Sequence, residues 1–176
     1  ISIYLNHKDY SGAESYLQKW SGSITSLTTA EYTSHPLINS ILAEYQDKAK
    51  KLGIRTDYQI TVPDQLHMDD MDLCRFLTNL LDNALEGCSH VDPPKRYITL
   101  KIKKDGQFLF FSCENSCQEK DLKPAGDKFQ STKQVPGSHG LGIPCMYAIA
   151  ERYNGVFRTK VSGNVFTAHA NLCMQE

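Results

Sequence analysis

The sequence has 176 residues, 40% of them hydrophobic, with 19 basic and 20 acidic side chains for a formal charge of −1. That is enough apolar material for one ordinary domain plus an appendage, and it excludes wholesale disorder. Balanced charge without a basic stripe argues against a nucleic-acid or anionic-membrane surface, and no apolar run reaches the ~18 residues of a membrane span.

The first residue is Ile1 and no signal-peptide pattern follows, so a soluble piece of a longer protein is expected. Ile1 to Asn6 has the character of a helix tail, His7 to Gly12 of a turn, and Ala13 to Leu27 resumes with Tyr16, Leu17, Trp20 and Ile24 on one helical face. This αα-hairpin stub, within residues 1–33, is too short to bury its apolar face alone. Pro36 suits a first helical turn, and Leu37, Ile38, Ile41, Leu42, Tyr45, Ala49 and Leu52 follow at helical spacing until Gly53. Arg55 to Val62 alternates as a strand. Asp69 to Gly87 is the strongest helix. Leu73, Phe76, Leu77, Leu80, Leu81, Ala84 and Leu85 form its stripe, Asp69 or Asp70 its cap and Gly87 its end.

Tyr97 to Lys103 and Gln107 to Cys113 read as a hairpin joined at Lys104-Asp105-Gly106. The polar stretch from Glu114 to Gly140 lacks a period and is too long for a passive loop, so a lid over about residues 116–140 is expected. Leu141 to Tyr153 reads as a helix closed by Asn154-Gly155, and two strands follow across Ser162-Gly163-Asn164. Runs of this order do not fit alternating βαβ units. They predict an α+β, two-layer sandwich over residues 34–176, with helices on one face of a mixed, mostly antiparallel sheet.

Six cysteines, Cys74, Cys88, Cys113, Cys117, Cys145 and Cys173, form no C-x-x-C pair. Reduced, mostly buried thiols are expected, without a zinc site. The first chemical constellation is Asn79-Leu80-Leu81-Asp82-Asn83-Ala84. Its two carboxamides stand four apart on one helix face, at the margin of the apolar stripe. Taken alone, such a pair is more often a solvated flank than a ligand for Mg²⁺ and phosphate, and it gains weight only in company. The second is Gly137-Ser138-His139-Gly140-Leu141-Gly142. There glycines let the backbone approach an anion, and a helix N-terminus supplies free N–H groups. Ser131-Thr132-Lys133 adds hydroxyls and a cation. No G-x-x-x-x-G-K-[ST] motif occurs, and the glycine order G-x-x-G-x-G reverses the dinucleotide fingerprint.

Asn79-x-x-x-Asn83-Ala84 on a helix, two strands, a lid and Gly137-x-x-Gly140-Leu141-Gly142 opening a helix together resemble the GHKL ATPase superfamily, with its Bergerat fold. The finer likeness is to AgrC-like, peptide-sensing histidine kinases. Their lid is similar to Ser131-Thr132-Lys133 with His139-Gly140-Leu141-Gly142, and their entry helix to Pro36 to Leu42. Residues 1–33 resemble the end of their dimerisation region. The resemblance implies ATP and Mg²⁺ as ligands, with Asn83 on the metal and Asn79 along the triphosphate. Lys133, His139, Gly140, Leu141 and Gly142 would hold phosphate, His139 serving either that role or lid support. Either Glu114 or Asn115 would read adenine, since Glu114-Asn115-Ser116-Cys117 replaces the usual Asp-x-Gly-x-Gly. Glu86 stands where many histidine kinases carry a lysine or arginine.

The hydrolysing branch resembles Glu-x-x-x-Asn; Asn79 cannot serve as its general base, which favours transfer to a side chain. The accepting histidine is expected upstream of Ile1, so this chain alone should not label itself. The resemblance further implies quorum sensing, a full-length homodimer, a response-regulator partner and a place on the cytoplasmic side of a bacterial membrane protein. A GHKL ATPase and a degenerate scaffold without kinase activity are the competing readings.

Overall fold

The computed structural model describes residues 31–118 and 142–174, and the backbone of 123–125 and 128–130. The expected helical stub lies outside the described residues. The order is α1 (Pro36–Lys51), β1 (Arg55–Thr61), α2 (Asp70–Ser89), a 3-10 turn (Pro93–Lys95), β2 (Tyr97–Asp105), β3 (Phe108–Ser116), β4 (Lys123–Ala125), β5 (Lys128–Gln130), α3 (Gly142–Arg152), β6 (Val156–Ser162) and β7 (Val165–Cys173). Five strands form one sheet in the order β1-β2-β3-β7-β6, while β4 and β5 pair with each other. β1 runs parallel to β2, and the other neighbours in the large sheet are antiparallel. The result is the expected α+β sandwich, an open mixed sheet with helices on one face.

Period-two burial decides which face carries the helices. On β3, Leu109, Phe111, Cys113 and Asn115 are buried, whereas Phe110, Ser112 and Glu114 alternate with them. The buried side meets the stripe of α2: the Phe76 ring stacks 4.8 Å from Phe111 and 5.9 Å from Phe157. Leu73, Phe76, Leu77 and Leu81 are fully enclosed there with Ile98, Leu100, Ile102 and Leu172. Removing this apolar surface from water is the main force that docks helix on sheet.

Polar ties fix how α2 is rotated. Tyr45 Oη on α1 donates to Asp82 Oδ1 at 2.7 Å, and burial together with that carboxylate pushes the phenol well above its ordinary range. At the N-terminus Asp69 accepts from the backbone N–H groups of Met71 and Asp72, at 2.9 and 3.1 Å. Asp72 is buried and receives Arg152 Nη1 at 2.7 and 2.6 Å on its two oxygens, with Tyr153 Oη donating at 3.2 Å. The C-terminus of α3 is thereby pinned to the N-terminus of α2. Ten residues back along α3, roughly 15 Å at the helical rise, Gly142 reaches the middle of α2.

Several local expectations shift. α2 does not end at Gly87 but continues to Ser89, because tertiary packing around Gly87 outweighs its weak helix propensity. Leu52 is 41% exposed rather than part of the α1 stripe, since it already occupies the C-cap position ahead of Gly53, which has φ +65°. β3 runs through Ser116, so Glu114-Asn115-Ser116 belongs to the sheet and not to the lid, held by register with β2 and β7. His35, which precedes α1, is buried as well.

Arg96 closes the ends of both long helices. Its Nη1 donates to Leu52 O at 2.7 Å, Nε to Val91 O at 2.8 Å and Nη2 to Ser89 O at 3.3 Å. Each carbonyl is met by a different nitrogen of the planar fork, a spread that the compact ammonium of lysine does not reproduce. Arg96→Ala should lower stability by about 2 kcal/mol, and Arg96→Lys should recover less than half of that, measured by urea unfolding.

Candidate functional site

Asn79 and Asn83 lie one turn apart on the flank of α2 that meets α3. A Cβ placed on Gly142 would sit 3.0 Å from Asn79 Oδ1 and 3.7 Å from Asn83 Oδ1. The first residue of α3 thus rests on both carboxamide oxygens, and two motifs separated by some sixty residues share one place. A side chain at position 142 would fill it. Asn79 Nδ2 donates to the Arg75 carbonyl at 2.7 Å, so Oδ1 is the end left beside Gly142. Asn83 Nδ2 is buried without a hydrogen-bond partner among the described residues. A buried amide donor left unpaired costs about 1–3 kcal/mol, and such a group marks a place where an outside acceptor belongs. The opening turn of α3 adds unpaired N–H groups and the positive end of a helix dipole.

The sheet separates the two adenine candidates. Asn115 is 1% exposed and points to the helix side. Its Nδ2 donates to Ser116 O at 2.9 Å and packs against α2 at Gly87. Glu114 alternates to the opposite face, where its Oε1 accepts from Tyr97 Oη at 2.9 Å. Burial, with that carboxylate beside it, raises the Tyr97 phenol to about 12. Asn79, Asn83, Asn115 and Gly142 therefore occupy the α2–β3–α3 side of the sheet, and Glu114 does not. Lys133, His139, Gly140 and Leu141 lie outside the described residues.

Metal chemistry at this place has a restricted donor set. Among the described residues no group of three His, Cys, Asp or Glu side chains could hold a metal ion. None of the six cysteines forms a disulfide, and Cys88, Cys113 and Cys117 are buried. Burial lifts the Cys113 thiol to about 12 and raises Cys88 as well, which removes thiolate ligands near neutral pH. What remains is hard and neutral: carboxamide oxygens converging at Gly142. Mg²⁺ fits such a set, because it takes few protein ligands and completes its shell with water and phosphate.

The sequence pattern pointed to the asparagine pair and to Gly142, but it missed Gly87, Ser116, Cys88 and Arg75, which hold the asparagines in place. A glycine inside so regular an amphipathic helix was the available signal for the first.

The family model of the GHKL domain matches residues 68–172, well over half of the chain and every described site residue. A sensor histidine protein kinase, HK06 of Streptococcus pneumoniae, is 28% identical over 145 residues, or 79% of this chain. The matched region is 30% of that relative's length. Among solved structures, the catalytic domain of histidine kinase ThkA superposes with a TM-score of 0.60 at 18% identity, covering 78% of this chain and 90% of that one. Full-length ShkA in complex with AMPPNP gives a TM-score of 0.60 at 15% identity, over 88% of this chain and 33% of ShkA. The two solved structures share the fold of this chain. The chain belongs to the GHKL domain family.

Proposed function

We propose that the chain is the ATP-binding catalytic domain of a sensor histidine kinase, which binds Mg·ATP and passes the γ-phosphate to a histidine side chain reaching the site from outside the described residues. The observation that carries this reading is the meeting of Asn79, Asn83 and Gly142, with the Asn83 amide nitrogen buried and without a partner among the described residues. Asn83 would hold Mg²⁺ through Oδ1, and Nδ2 would find its acceptor in a phosphate oxygen. Asn79 lines the triphosphate, and the α3 N-terminus opposes its charge. Asn115 reads the adenine amine, and Glu114 has no part in it. Lys133 and the backbone of His139, Gly140 and Leu141 supply the remaining phosphate contacts. When bound, Mg²⁺ neutralises charge on the phosphates.

Transfer is favoured over hydrolysis because Asn79 has no proton-accepting carboxylate for water. The incoming imidazole brings its own nucleophilic nitrogen, so the domain's task is to position the phosphates and exclude water. Support also comes from the histidine kinase relatives and from the AMPPNP complex of ShkA. The same reading extends to an AgrC-like kinase of quorum sensing that works as a homodimer on the cytoplasmic face of a membrane and phosphorylates a response regulator. Among the described residues no helix is long and apolar enough to cross a membrane.

Calorimetric titration tests the binding step. Mg·AMPPNP should bind the chain stoichiometrically, and omission of Mg²⁺ should weaken binding by about tenfold or more. Incubation with γ-labelled ATP should release little phosphate and leave no acid-labile label on the chain. Absence of binding would leave a scaffold without nucleotide chemistry. Rapid turnover would move the chain to the ATPase branch, and acid-labile label would place the acceptor within these residues.

A further inference from the structure

We infer that Gly87 is a positioning residue, which fixes the end of the Asn115 carboxamide that meets a nucleotide base and so selects adenine over a base carrying a carbonyl in place of the amine. This rests on the assignment of Asn115 as the base reader.

Gly87 lies inside α2, and its backbone is not among the positive-φ glycines. Nothing about its conformation calls for glycine, and alanine would make the more stable helix. Space is what calls for it. A Cβ there would lie 2.6 Å from Asn115 Nδ2 and 3.6 Å from Ser116 O. Real Cβ atoms do not approach so closely, so alanine would have to displace the amide nitrogen from its hydrogen bond to Ser116 O.

The side chain of Ser116 is in turn steadied by the next residue of α2. Cys88 Sγ donates to Tyr97 O at 3.2 Å and lies 3.3 Å from Ser116 Oγ, which accepts from Tyr97 N at 3.2 Å. Gly87 and Cys88 together lock the end of β3: the glycine admits the Asn115 amide, and the cysteine steadies the residue that receives it. With nitrogen committed to Ser116, the carboxamide offers its oxygen to a ligand. An oxygen acceptor takes a hydrogen bond from the amine of adenine and opposes the carbonyl of hypoxanthine. A freely rotating asparagine could turn its nitrogen outward and accept either base.

The test compares Mg·ATP with Mg·inosine triphosphate on the 176-residue chain. The parent should prefer ATP by about tenfold or more, the worth of one well-placed hydrogen bond. Gly87→Ala should weaken ATP about tenfold, leave inosine triphosphate nearly unchanged and close the preference. In an Asn115→Ala background the same substitution meets no clash, so it should raise the urea midpoint and change neither affinity. The inference fails if Gly87→Ala keeps the parental preference, or if it lowers the urea midpoint equally in both backgrounds, as a plain packing glycine would. Failure of the parent to bind either triphosphate would instead remove the nucleotide reading itself.

Discussion

Asn83→Ala will weaken Mg·ATP binding by about 100-fold and abolish its dependence on Mg²⁺, while raising the stability of the unliganded domain by roughly 1 kcal/mol. Both effects come from one atom group. Asn83 Nδ2 is buried without a partner among the described residues, so truncation removes a desolvated donor and replaces asparagine with the best helix former. The affinity loss follows from the role proposed for Oδ1, beside Gly142, as the hard ligand of the cation, with the phosphate losing a donor at the same time. Asn79→Ala should act differently. It breaks the bond to Arg75 O and removes one flank of the triphosphate, costing about tenfold in affinity with Mg²⁺ dependence retained. Calorimetry with and without the cation, paired with urea unfolding, reads both quantities. Unchanged affinity in Asn83→Ala would remove the metal assignment, and a stability loss would mark Asn83 as a structural residue.

The parts of this site that sequence made legible are those governed by local periodicity. Helical spacing alone puts Asn79 beside Asn83, and the stripe through Leu73, Phe76, Leu77 and Leu80 says which flank they share. The glycine cluster ending at Gly142 signals an anion-friendly helix start, and the same spacing rules locate α3. What no local rule supplied was the end of β3. Glu114-Asn115-Ser116 has loop composition, yet it pairs on both sides, Asn115 opposite Ile98 on β2 and opposite Phe166 on β7. Register is a property of three strands together, so the choice between Glu114 and Asn115 had to wait for the sheet, whose pleat sends them to opposite faces. Gly87 was misread for a related reason. A glycine near the end of an apolar pattern signals a stop, and only the Asn115 amide packed against it explains why the helix runs on. Both differences fall where helix meets strand, and both concern residues at the proposed base-reading end of the site.

Gly155→Ala should be among the most destabilising single substitutions in the domain, at about 3 kcal/mol, with a fall of roughly 10 °C in Tm. Asn154 is the residue that takes the left-handed conformation after α3, with φ +46°, so Gly155 is not needed for the turn itself. Its role is proximity. A Cβ there would fall on the carbonyl oxygen of Asn171, with Asn171 C and Leu172 Cα each 3.0 Å away. These are backbone atoms of β7, which is hydrogen-bonded to β3 on one side and β6 on the other, so the strand cannot retreat without breaking a ladder. On the other side Gly155 N donates to Ala150 O at 2.8 Å, Val156 N donates to the Asn171 side chain at 2.9 Å, and Cys173 N donates to Tyr153 O at 2.8 Å. The corner between α3 and β6 is therefore held on every side. Because α3 carries Gly142 at its far end, relief of the clash by backing α3 away would also draw the turn proposed to bind phosphate from Asn79 and Asn83. Weakened Mg·ATP binding should thus accompany the loss of stability even below the melting transition. Asn154→Gly, which relieves the left-handed strain of a non-glycine residue, should be neutral or mildly stabilising and leave binding intact. If Gly155→Ala melted within a degree or two of the parent, β7 would have to be far more yielding than its two ladders allow.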